Sequence, residues 1–169
     1  MDPERVGQSP YVLAERSGFS IPPRTRCLVS EESEIGWHRP LSAEKLNPVL
    51  AFYEARDSDH GIALAQQISR FEGWGHSSVV HSNDPSIVAK FSSIPTGRVL
   101  VNTPAIIGGM GYSTDLEPSF MLGTGTWSGS ITSDNVTALH LINIKRVAYQ
   151  NRPWRDMYEE YACLLYTSP

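Results

Sequence analysis

The sequence predicts an α/β fold built from βαβ units around a mostly parallel sheet. Three observations carry this expectation. Apolar β-rich runs alternate with amphipathic stretches in the order strand, helix, strand, helix, strand; the connections between them are short; and the run Val49 to Tyr53 is apolar on both faces, as a strand inside a parallel sheet requires.

In chain order, Ser9-Pro10 followed by Leu13, Ala14 and Ser17-Gly18 has the cap, first-turn proline and terminal glycine of a short helix. Thr25 to Val29 reads as a strand with Cys27 as a small buried thiol, because free cysteine packs as a hydrophobe. Residues 30–47 lack a hydrophobic period and read as a long loop. Val49 to Tyr53 is the central strand. Ser58 or Asp59 caps a helix whose Leu64, Ile68 and Phe71 form one apolar stripe, with Gly73 at its end. Val79-Val80 is the next strand core, Asn83-Asp84-Pro85 opens a second helix, and Arg98 to Asn102 is a further strand. Residues 103–130, rich in Gly, Ser and Thr, read as a long loop. His140 to Val147 alternates Ile142 and Ile144 with Asn143 and Lys145, the pattern of a half-exposed strand at an edge or in a subunit contact. Trp154, Tyr158 and Tyr161 sit at helical spacing, so the organisation expected is one domain part over 1–150, a terminal helix over 151–162 and a non-native tail over 163–169. That tail, which includes Cys163, resembles a translated sequencing-adapter read-through and is set aside from fold reasoning.

Composition narrows the function. A chain of 169 residues is the size of one domain, and 40% hydrophobic residues with 13 Gly and 12 Pro exclude disorder as an overall description. The net charge of −4 and the absence of a basic stripe argue against a nucleic-acid partner. No apolar run approaches the ~20 residues of a membrane span, and Met1-Asp2-Pro3-Glu4 does not open a signal peptide, so a cytoplasmic location is expected. The two cysteines and five histidines have no metal-ligand spacing, and no metal is expected.

Few residues point to chemistry by themselves. Gly123-Thr124-Gly125-Thr126-Trp127-Ser128-Gly129 has the spacing Gly-x-Gly-x-x-x-Gly and does not sit between a strand and a helix. It therefore reads as a flexible surface loop and not as a dinucleotide-binding turn. His76 follows Gly73-Trp74-Gly75 at the start of a strand, where a side chain can face a site. Glu44 reads as a solvated loop carboxylate.

The order of several segments says more. Glu44-Lys45-Leu46-Asn47-Pro48-Val49 resembles the Glu-x-Phe-Gly-Pro-Val segment of aldehyde dehydrogenases. Gly75-His76-Ser77, Asn102-Thr103-Pro104, the 123–129 loop and His140-Leu141-Ile142-Asn143-Ile144-Lys145-Arg146 resemble the CoA-acylating branch of that family, in order and in spacing. The resemblance runs from about Gly7 to Ala148 and implies the carboxyl-terminal part of an aldehyde dehydrogenase catalytic domain. It implies an oxidoreductase that interconverts an aldehyde and its acyl-CoA: the aldehyde adds to a catalytic cysteine, hydride passes to NAD or NADP, and coenzyme A takes the acyl group.

Residue by residue, the resemblance gives Glu44 the nicotinamide ribose hydroxyls, with Leu46 standing beside them where relatives carry an aromatic. It places His76 near the active site and lines the aldehyde pocket with Thr126, Trp127 and Ser128. It also implies a homo-oligomer of the parent enzyme. The family's nucleophilic cysteine lies upstream of the matched region and Cys27 does not align with it, so the chain is expected to be inactive alone. Sulfoacetaldehyde or propionaldehyde are alternative substrates within the family. A non-catalytic binding or oligomerisation module is the alternative from another class.

Overall fold

The structure is a computed structural model and describes residues 2–155. Residues 2–137 and 138–155 belong to separate compact units. The expected helix over 151–162 extends beyond the described residues, and the tail over 163–169 lies outside them.

The first unit opens with a 3-10 turn at Pro3–Arg5 and a helix α1, Pro10–Arg16. Ser9 caps α1 by accepting from the Val12 amide at 3.4 Å, Pro10 occupies its first turn, and Gly18 follows at φ 80°. Strand β1 runs Leu28–Glu31 and β2 runs Val49–Phe52. Between them a 3-10 turn at Pro40–Ser42 interrupts the expected loop. Helix α2 spans Ser58–Glu72, β3 Ser77–Val80, α3 Pro85–Phe91 and β4 Arg98–Val101. Proline at the first position of α3 and the Asp84 carboxylate accepting from Ser86 at 2.8 Å define where that helix begins.

Among the described residues the strands pair in parallel, in two separate sheets, β1 with β2 (Leu28 opposite Val49) and β3 with β4 (Ser77 opposite Arg98), and one isolated antiparallel bridge joins Leu122 and Asn135. The βαβ reading thus holds for β3-α3-β4, whereas β2-α2-β3 does not make neighbouring strands. Within the described residues Val49–Phe52 is consequently not a central strand. Among the described residues it pairs with β1 alone, and Val29, Leu50 and Phe52 face outward, each more than half exposed.

Three further expectations are corrected. Cys27 precedes β1 and is exposed, because the strand begins at Leu28, three residues later than the expected start at Thr25. Helix α2 begins after Asp57, whose carboxylate accepts from His60 N at 2.7 Å, and it uses two faces. Ile62 and Ala65 pack on the core of Val80, Phe91 and Ile94, while Phe71, from the expected stripe, meets Trp37 edge-on at 4.9 Å. Within residues 103–130, Ala105–Gly109 forms a helix, α4, and Thr126–Ser128 a 3-10 turn. In α4, glycines 108 and 109 are buried; Gly108 lies against Thr103, leaving no room for a side chain.

In the second unit, Ala138–Leu141 is a 3-10 turn and 142–150 is irregular, so within the single chain the stretch His140 to Val147, expected at an edge or in a subunit contact, pairs with no strand among the described residues. A strand requires a hydrogen-bonded neighbour, and alternation of Ile142 and Ile144 with polar residues does not supply one.

Candidate functional site

Two loops and the start of β3 converge in the first unit. The Glu44 segment is fixed from both sides. The Glu44 amide donates to Glu72 Oε2 at 2.7 Å at the end of α2, and the Lys45 ammonium donates to the carbonyls of Ala43, at 2.9 Å, and Leu41. Burial lowers the pKa of Lys45, against the opposing pull of Glu32 and Glu72. Held in this way, the Glu44 carboxylate stands 3.9 Å from His76 Nε2. These two residues, 32 apart in sequence, come from different elements.

The other ring nitrogen of His76, Nδ1, lies 3.4 Å from the Trp74 carbonyl oxygen. The Trp74 carbonyl can accept from Nδ1, whereas Glu44 lies beyond hydrogen-bond distance of Nε2 but within ion-pair range. Both side chains remain substantially open to solvent, at 55% for His76 and 42% for Glu44. Acceptor oxygens of Glu44 are therefore free to meet hydroxyl donors.

Beyond His76, Trp74 packs against Trp127, ring centroids 5.2 Å apart and tilted by 44°. This contact depends on two glycines. Gly75, at φ 76°, passes so close to the Thr124 carbonyl that a Cβ would stand 2.2 Å from it. Gly97 donates to the Gly75 and His76 carbonyls at 3.0 Å, and a Cβ there would stand 2.5 Å from the Gly75 oxygen. Only glycine lets the three backbones come this near.

The glycine-rich segment is an ordered hairpin-like loop rather than a flexible surface one. Gly123 N donates to Asp134 O and Gly125 N to Thr132 O, both at 2.9 Å, and the Thr124 and Ser130 hydroxyls lie 2.8 Å apart. Thr126 and Trp127 line a hollow of about 410 Å³ with Thr96, Thr132 and Asp134. Ser128 points its hydroxyl to Thr124 and, at 3.2 Å, to the Gly125 carbonyl, bracing the loop from within. A separate, mostly apolar cavity of about 600 Å³ reaches Glu44 and Lys45 from the side of α1 and β1. Leu46, at φ 42°, is 56% exposed and is not among its lining residues.

Among the described residues no group of three or more His, Cys, Asp or Glu side chains is placed to hold a metal ion.

No protein-family model matches the sequence. Individual proteins do. Over 160 residues the chain is 39% identical to the bifunctional aldehyde-alcohol dehydrogenase of Escherichia coli K12, covering 90% of this chain and 18% of that protein. Against the aldehyde-alcohol dehydrogenase of Clostridium acetobutylicum it is 37% identical over 176 residues, covering 97% and 20%. The crystal structure of an acetylating aldehyde dehydrogenase from Geobacillus thermoglucosidasius superposes with a TM-score of 0.82 at 41% identity, covering 89% of this chain and 33% of that one. The chain is homologous to part of the acetylating aldehyde dehydrogenases. It spans about a fifth to a third of the length of these relatives.

The Glu44 carboxylate, half open to solvent and fixed through its own backbone and through Lys45, offers two acceptor oxygens, the chemistry that a ligand carrying hydroxyl donors would fit. Sequence reasoning passed over Trp74 and Arg98, both of which hold the loop of Trp127 in place. A signal for Trp74 was present in the Gly-Trp-Gly tripeptide, where small neighbours permit close approach. For Arg98 there was none, since its acceptors lie 21 to 35 residues away in sequence.

Proposed function

We propose that this chain supplies one wall of the active site of a CoA-acylating aldehyde dehydrogenase, interconverting an aldehyde and its acyl-CoA with NAD or NADP. The observation that carries the reading is the meeting of Glu44 and His76, 3.9 Å apart, beside the Trp74–Trp127 pair. Homology to acetylating enzymes supports it from a separate direction.

In this reading Glu44 accepts hydrogen bonds from the nicotinamide ribose hydroxyls, and Leu46 offers exposed apolar surface beside them. When bound, the cofactor supplies a two-electron hydride acceptor. His76, open to solvent and next to Glu44, holds or releases a proton at Nε2 close to the reacting carbonyl. Thr126 and Trp127 border the aldehyde, with Ser128 bracing their turn. The nucleophilic cysteine belongs to a part of the parent enzyme other than this chain, and the parent is a cytoplasmic homo-oligomer. Substrate identity stays within small aldehydes. Relatives at 31% identity are named succinate-semialdehyde dehydrogenase (acetylating) and sulfoacetaldehyde dehydrogenase.

Replacing the matching segment of the E. coli enzyme by residues 2–155 of this chain tests the reading. The chimera is expected to oxidise NADH in the presence of acetyl-CoA. In the chimera, Glu44→Gln is expected to raise the KM for NADH roughly tenfold or more, as loss of hydrogen bonds to a charged acceptor implies. A folded chimera without turnover, or one whose cofactor KM ignores Glu44→Gln, would refute the assignment.

A further inference from the structure

Arg98 opens β4, and its side chain leaves the sheet to reach three acceptors on other segments. Nη1 donates to Ser77 Oγ of β3 at 3.1 Å, while Nη2 donates to Gly123 O at 2.8 Å and Ser133 O at 2.9 Å. Gly123 and Ser133 stand on opposite sides of the neck of the loop whose far turn bears Trp127. One guanidinium thus ties both sides of that neck to the sheet. The side chain is half-buried, and that burial lowers the pKa of the guanidinium.

The chemistry of the residue matters here. A planar guanidinium presents five donors in a fixed fork, so it satisfies a hydroxyl and two carbonyls on different segments together. An ammonium carries three donors on a flexible stem. The loop beyond the neck has few buried apolar side chains: Trp127 is 57% exposed and Ile131 wholly so. Its position therefore depends on hydrogen bonds at the neck and on the Trp74 contact, not on a core of its own.

We infer that Arg98 is a positioning residue for the aldehyde pocket: by pinning the neck of the 123–134 loop to β3 and β4, it sets where Trp127 stands against Trp74. This rests on the reading of Trp127 as a wall of that pocket. Arg98 is not among the residues that line the hollow beside Thr126 and Trp127. Its effect passes through the loop.

The 169-residue chain tests the pin directly through two readouts, near-ultraviolet circular dichroism of the coupled Trp74–Trp127 pair and amide hydrogen exchange. Trp74→Phe defines the signal that belongs to the pair. Arg98→Gln is expected to reduce the circular dichroism to the Trp74→Phe level and to speed exchange over 123–134 at least about tenfold, with β3 and β4 still protected. Arg98→Lys is expected to restore part of both. Wild-type dichroism and loop exchange in Arg98→Gln would overturn the proposal.

Should Arg98→Gln fail to fold, Arg98→Lys decides alone. A severalfold rise confined to the loop supports the pin, whereas an equal rise in the strands, or none, overturns it. In the chimeric enzyme Arg98→Lys is expected to raise the KM for the aldehyde with kcat nearly unchanged. A loosened loop with an unaltered aldehyde KM would instead overturn the pocket reading on which the inference rests, separately from the pin.

Discussion

At the scale of single residues, the amide of Asn102 closes the β3–β4 pair. Its Oδ1 accepts from Ser82 N and its Nδ2 donates to Ser82 O, both at 3.0 Å, so the side chain continues the ladder past the last backbone pair. Asn102 itself turns into the left-handed region at φ 55°, which asparagine tolerates better than most residues. Asn102→Ala loses both bonds and incurs backbone strain. It is expected to lower the unfolding free energy by about 1 to 3 kcal/mol in urea titration. Asn102→Gly relieves the backbone strain and is expected to cost less than alanine. The Asn-Thr-Pro tripeptide was visible in the sequence. That Asn102 acts as a surrogate backbone group was not, because its partner Ser82 lies 20 residues away.

Helix α3 is an element whose boundaries local chemistry sets and whose pH response follows. Hydrogen bonds from Ser86 hold the Asp84 carboxyl below the ordinary carboxylate value, with Lys90 adding a weaker pull. A lowered value in the fold means that the ionised cap contributes stability above the ordinary carboxylate range. This contribution is lost as pH falls through the folded value. Acidification is therefore expected to open the first turn of α3, seen as faster exchange of the Ser86 amide. Asp84→Asn keeps a capping oxygen and should remove this acid dependence. Helices α1 and α3 were legible because cap, proline and first turn are adjacent in sequence. The second face of α2 was not, since only the fold shows that Ile62 and Ala65 meet Val80 and Phe91.

For the molecule as a whole, the open sheet face has consequences for association. Val29 and Leu50 lie opposite each other in register, and Phe52 continues the same outward row. A two-stranded sheet with an uncovered apolar row invites contact with further protein surface. The chain is expected to associate with rising concentration and to bind a hydrophobic dye. The double substitution Leu50→Lys, Phe52→Lys should suppress both in sedimentation and fluorescence measurements, with far-ultraviolet dichroism unchanged. Association untouched by these substitutions would locate it elsewhere on the surface.

The sequence by itself determined the α/β class, the caps of α1 and α3, the parallel character of the strands and the family to which the ordered motifs point. Each depends on neighbouring residues or on motif order, so a linear reading captures it. Tertiary structure alone decided that the strands form two pairs, that the residues from 140 to 147 build no ladder among the described residues, that Glu44 meets His76, and that Arg98 and two glycines fix the loop of Trp127. These are contacts between segments 20 to 50 residues apart. Their formation depends on which surfaces come to face each other, and hydrophobic period and turn chemistry do not encode it.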